Sequence, residues 1–214
     1  ERVADVTGRR VPVFGDFALP ARRPPQAAPA SPPRLAVNAA RLPPPWTRLQ
    51  YWYEEALQRA ARRYIETTPC GGVTVFTTGA AQDDAPAQRL RQRLPAGTGL
   101  CRPRTLAELE RLLQDSAAVV ASRLYAAILA LAAGRPVVGV SSSAAVANFF
   151  GDVGLGAYHL RIPGGTAADL VRMLDGRDAL AAQAAAVDLA ECRAARDHVA
   201  TLLWRLCRRS QLAS

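Results

Sequence analysis

Short runs of β-branched and other apolar residues alternate along this chain with longer stretches in which apolar side chains recur every three or four positions, and that alternation leaves few folds open. The runs at 35–38, 73–77, 119–122, 137–141 and 158–162 read as strands. The stretches at 47–66, 84–94, 105–114, 124–133, 144–150 and 166–174 read as helices. A strand followed by a helix before the next strand is the βαβ unit, whose crossover makes the strands parallel and covers the sheet. The fold class is therefore α/β, a mostly parallel sheet with helices on both faces. Two helix starts carry a local signature as well: Thr105 precedes Glu108, and Thr166 precedes Asp169, by the three residues of a capping box.

Prolines crowd residues 21–33 among alanine and arginine. Proline breaks a helix interior and removes a ladder donor, so that stretch reads as a linker or extended arm. Residues 178–207 are alanine-rich, carry leucines at helical spacing and lead to Arg205, Arg208 and Arg209, cations that suit a helix carboxyl terminus. The expected division is 1–33, the end of a preceding domain with a proline-rich linker; 34–176, the α/β domain; and 177–214, a carboxyl-terminal helix. The first residue is Glu1 and the single methionine is Met173, so a preceding segment is expected.

Several classes of chemistry are excluded by what the chain lacks. The formal charge is +9, and all 27 basic residues are arginine. Without lysine there is no Schiff-base lysine, no P-loop lysine and no lysine general base. The arginines are scattered along the helical stretches rather than gathered in one stripe, so they match a GC-rich genome better than a nucleic-acid footprint, and no nucleic-acid partner is expected. Cys70, Cys101, Cys192 and Cys207 lie too far apart for zinc or redox pairing and are expected to be reduced and structural. His159 and His198 have no metal-site spacing, so neither a protein-held metal nor a cofactor is expected. The longest apolar stretch, 126–133, is far short of the roughly 20 residues that cross a bilayer. With no membrane span and no signal segment, the expected location is cytoplasmic.

In open parallel sheets, ligands bind beyond the carboxyl ends of the strands. That rule nominates the run Ser122-Arg123-Leu124-Tyr125, where an apolar strand passes straight into an apolar helix. A helix amino terminus carries positive partial charge, so Arg123 there calls either for a bound phosphate or carboxylate or for solvent or an acidic neighbour. A second nominee is Ser141-Ser142-Ser143, hydroxyls and amides that suit either an anion cradle or ordinary capping. Thr77-Thr78-Gly79 with Asp83 and Asp84 reads as a turn and a helix cap. His159 reads as a packed residue. Trp46, Tyr51, Trp52 and Tyr53 read either as core or as an aromatic platform for an acceptor.

Three segments in order, 119–126 (VVASRLYA), 133–141 (AGRPVVGVS) and 150–155 (FGDVGL), resemble the carboxyl-terminal domain of the polysaccharide pyruvyl transferases. Residues 7–16 (TGRRVPVFGD) are similar to the segment closing that family's amino-terminal domain, and 35–38 (LAVN) to the next domain's first strand. The resemblance covers about residues 5 to 160. It implies a Rossmann-like donor-binding domain over 34–176, half of a glycosyltransferase-B-like two-domain arrangement. It also implies transfer of a pyruvyl group from phosphoenolpyruvate to a sugar or polysaccharide-precursor acceptor, with a missing amino-terminal domain or subunit as partner. In the family an Arg-x-His motif grips the donor and moves a proton. Arg123 matches its arginine, whereas the histidine position is Tyr125. A lysine frequent just past the serine matching Ser141 is replaced by Ala144 and Ala145.

Three readings follow. In the first, Arg123, Ser122 and Ser141 to Ser143 bind phosphoenolpyruvate and Tyr125 is the catalytic proton donor. In the second, the same architecture serves a nucleotide-sugar-dependent glycosyltransferase. In the third, a non-catalytic homologue acts as partner subunit.

Overall fold

A computed structural model describes residues 32–68 and 71–187. Six strands, β1 (Arg34–Asn38), β2 (Gly72–Phe76), β3 (Gly99–Cys101), β4 (Ala118–Ala121), β5 (Val137–Ser141) and β6 (His159–Arg161), form one sheet in the order β3-β2-β1-β4-β5-β6. Every neighbouring pair is parallel, with Leu35 opposite Val73 on one side and Ala118 on the other. From β1 to β3 the chain steps outward in one direction, and from β4 to β6 in the other. Right-handed crossovers then place the helices of the two halves on opposite faces. The result is the Rossmann-like α/β sheet, its direction reversing between β1 and β4.

The helices are α1 (Gln50–Thr67), α2 (Asp84–Arg93), α3 (Leu106–Gln114), α4 (Leu124–Ala132), α5 (Ala144–Asp152), α6 (Ala167–Asp175) and α7 (Arg177–Ala186). In α1 the buried residues Tyr53, Ala56, Leu57, Ala60, Ala61 and Tyr64 recur at three- and four-residue spacing, and that stripe packs against the sheet, α2 and α6. Helix α4 is buried without interruption from Ala126 to Ala132, because it lies between β4, β5, α3 and α5. Strands β4 and β5 are buried at every position, as central parallel strands are. Gly139 permits the tight packing on β5: a Cβ there would come within 2.7 Å of the Phe150 ring and 2.8 Å of the His159 ring.

Five expected strands and six expected helices are present, with ends shifted by a few residues at most. The segment at 47–49 is a separate 3-10 turn, Trp46–Leu49, that leads into α1. Strand β3 was not foreseen: three half-exposed residues, Gly-Leu-Cys, at the sheet edge carry no periodic signal. The expected tail helix begins as α7, but the backbone turns extended at Val187 (ψ 116°), which ends the helix there. The rest of 188–207, the prolines before residue 32, the segment 7–16, and Cys70, Cys192, Cys207 and His198 lie outside the described residues. No helix of the described residues is long and apolar enough to cross a membrane.

Candidate functional site

The candidate site is the carboxyl edge of the sheet at the reversal between β1 and β4, the place where ligands bind in open parallel sheets. Asn38 ends β1 with a fully buried side chain that ties three strands together. Its Nδ2 donates to the Phe76 carbonyl (3.2 Å), and its Oδ1 accepts from the backbone N–H groups of Ser122 (3.3 Å) and Arg123 (3.0 Å). From α1, the buried Tyr53 hydroxyl accepts the Ala40 N–H (3.0 Å) and lies 2.5 Å from the Ser122 hydroxyl. Burial drives the Tyr53 pKa far above its ordinary value, so the phenol stays neutral and serves as a hydrogen-bonding peg.

Asp83 completes the arrangement. It is fully buried and accepts Nε (2.9 Å) and Nη2 (2.5 Å) of Arg123 together with the Arg41 N–H (2.8 Å). This bidentate bond raises the Arg123 pKa further, outweighing the opposing effect of desolvation. The electrostatic question posed by Arg123 at the start of α4 therefore has an internal answer, the acidic neighbour. The Arg123 side chain nevertheless stays 30 % exposed. Asp83 was expected to cap α2; it precedes that helix but makes no side-chain capping bond, because its carboxylate is taken by Arg123 and Arg41.

Around Asn38 the structure gathers Ser122, Arg123, Tyr53 and Asp83. Tyr125, in the first turn of α4, is 60 % exposed. The serine run sits one strand over, at the end of β5. The Ser141 hydroxyl is 3.1 Å from Nε2 of His159 and accepts the Ser143 N–H (3.3 Å); Ser142 is half-buried and Ser143 exposed. His159 stacks at a tilt against Phe150, and burial followed by the nearby Arg161 charge lowers its pKa. The four clustered aromatics divide between interior and surface: Tyr53 is fully buried, Trp46 and Trp52 half-buried, and Tyr51 67 % exposed beneath the Arg93 guanidinium. Among the described residues, no three His, Cys, Asp or Glu side chains form a metal-binding group.

No family model matches the chain, and no curated protein matches it. Solved structures do. A protein assigned as a UDP-N-acetylglucosamine 2-epimerase from Listeria monocytogenes superposes with a TM-score of 0.58 at 14% identity, covering 82% of this chain and 46% of that one. The spinosyn rhamnosyltransferase SpnG, solved with spinosyn aglycone, gives 0.53 at 19%, covering 90% and 50%. TarM from S. aureus, solved with UDP and α-GlcNAc-glycerol among its ligands, gives 0.51 at 12%, covering 91% and 38%. The fold is half of a glycosyltransferase-B arrangement. At these identities the likeness concerns fold alone, and the chain spans half or less of each structure's length.

Proposed function

We propose that this chain is the donor-binding half of a two-domain glycosyltransferase-B-type transferase, and that it holds the diphosphate of a nucleotide sugar beyond β4 and β5. The observation that carries the reading is the contrast between helix starts at the carboxyl edge. Helices α3 and α6 begin with threonine caps and an acidic residue in the first turn. Helices α4 and α5, which follow β4 and β5 directly, have neither a side-chain cap nor an acidic residue in their first turns; α1 lacks both too, but it is entered through the 3-10 turn Trp46–Leu49. Uncapped amides and an uncompensated dipole favour an anion, and they hold a diphosphate leaving group as negative charge develops on it.

In this reading Arg123 lies beside the diphosphate, held in place by Asp83, while Ser142 and Ser143 supply contacts at α5. The hydroxyls of Ser122 and Ser141 brace the loops, since both are engaged internally. Tyr125, exposed on the first turn of α4, borders the donor. The acceptor hydroxyl oxygen bonds to the anomeric carbon as the bond to the diphosphate oxygen breaks. The acceptor and the base taking its proton would come with the second domain or a partner subunit. The names of the compared structures, one of them holding UDP, support this donor class.

A second reading, pyruvyl transfer from phosphoenolpyruvate, rests on Ser122-Arg123-Leu124-Tyr125 occupying the carboxyl end of β4. Calorimetric titration of the full chain with UDP-glucose and with phosphoenolpyruvate separates the two. We expect UDP-glucose to bind, and Ser143→Asp, which puts a carboxylate at the start of α5, to weaken it at least tenfold. Phosphoenolpyruvate binding without UDP-glucose binding would replace the first reading with the second, and no binding of either would overturn both.

A further inference from the structure

Next to Asp83, which holds the Arg41 N–H, lies a cleft of about 350 Å³ lined by Arg41, Thr47, Gln50, Gln82 and Arg89. We infer that this cleft is a second anion site, distinct from the helix termini of α4 and α5, which takes the phosphoryl group of a phosphorylated sugar.

The charges around it do not cancel. Glu54, 1 % exposed, accepts from Nη2 of Arg89 (2.6 Å) and lies 3.4 Å from Nη1 of Arg93. Asp83 takes Arg123. The neighbouring Asp84 is paired with Arg102. Among the described residues no carboxylate pairs with the exposed Arg41 guanidinium. The cleft is thus lined by two guanidinium groups, of Arg41 and Arg89, and the buried carboxylate that pairs with Arg89, Glu54, is shared with Arg93, so positive charge is in excess there. A concave site with an uncompensated positive field concentrates anions, and guanidinium forks match phosphate oxygens.

The cleft is also built rather than incidental. Gln50 accepts the Leu42 N–H (2.8 Å) and donates to the Ala40 carbonyl (3.1 Å) and to Glu54 (3.0 Å), which locks the loop carrying Arg41 to α1. The Arg41 N–H is fixed in turn by Asp83. Glu54 holds Arg89 from two sides, through Nε (3.2 Å) and Nη2. The Arg89 guanidinium and the backbone that carries Arg41 are thus set in place before a ligand arrives, which lowers the entropy cost of binding. Gln82 and Thr47 remain exposed beside them for sugar hydroxyls.

The test uses the full chain carrying Ser143→Asp, so that the α5 terminus no longer attracts anions. Inorganic pyrophosphate, glucose 1-phosphate and glucose are titrated at low ionic strength. We expect the two phosphates to bind and glucose not to, with affinity falling as salt is added. Adding Arg41→Ala or Gln82→Glu should weaken both phosphates at least tenfold; both positions are exposed, so the fold is retained. Arg89 is left in place because its loss would strand the buried Glu54. Absence of phosphate binding in the Ser143→Asp chain overturns the inference, as does binding indifferent to both added substitutions or equal binding of glucose. Each of these results leaves the UDP-glucose titration of the unsubstituted chain to stand or fall separately.

Discussion

Asp83 accepts three hydrogen bonds from a position with no solvent exposure, and two of them come from a residue forty positions away. A buried carboxylate is tolerable only while its partners are present. Arg123→Ala should therefore cost about 3 kcal/mol of folding stability, measured by urea unfolding, because it strands that charge. In the double variant Asp83→Ala with Arg123→Ala the stranded charge is gone, so the combined loss should fall short of the sum by about 1–3 kcal/mol. Additive losses would show that the pair is not energetically coupled. The sequence marks Arg123 through helix-terminus electrostatics, which do not choose between a ligand and a neighbour, and through a family resemblance that implies a donor contact. It could not name Asp83, because that residue reaches Arg123 only once β1 has been inserted between β2 and β4. Asn38 was legible in principle, since a polar side chain closing an apolar strand marks a place where loops must be tied.

Helix starts differ in how far local sequence determines them. The capping box of α6 forms as its spacing predicts: Thr166 accepts the Asp169 N–H, and Asp169 accepts the Thr166 N–H. At α3 Thr105 caps Glu108, while Glu108 accepts the N–H of Arg104 rather than of Thr105. Thr166→Ala should cost about 1 kcal/mol in chemical denaturation. Ser143→Ala at α5 should change stability by less than about 0.5 kcal/mol, since that hydroxyl makes no capping bond. Equal losses would remove the contrast between capped and open termini on which the donor site rests. The long helices and buried strands were readable because each repeats its period over enough residues to be seen. Strand β3 was not, since it becomes a strand only by pairing Gly99, Leu100 and Cys101 with Thr74, Val75 and Phe76.

At the scale of the molecule, the parallel α/β class follows from alternation, whereas the strand order does not. Burial patterning hints at it, with β4 and β5 buried throughout and β3 short at the rim, but the reversal beside β1 leaves no mark in any local window. That reversal also has a consequence for how the chain acquires its structure in time. Strand β1 finds its first neighbour early, at Val73, but its other edge waits for Ala118. The middle of the sheet is thus closed by the pairing with the greatest sequence separation, the kind that slows folding. During synthesis, the amides of Leu35 to Val37 stay unpaired on that side until β4 has emerged, an open apolar edge of the sort that recruits other chains. A chain ended at Gln114 should accordingly aggregate as it is released from denaturant, scattering light where the full chain stays clear. If the shortened chain remained dispersed and unfolded cooperatively, the β1–β4 seam would not be the step that commits the molecule to its fold.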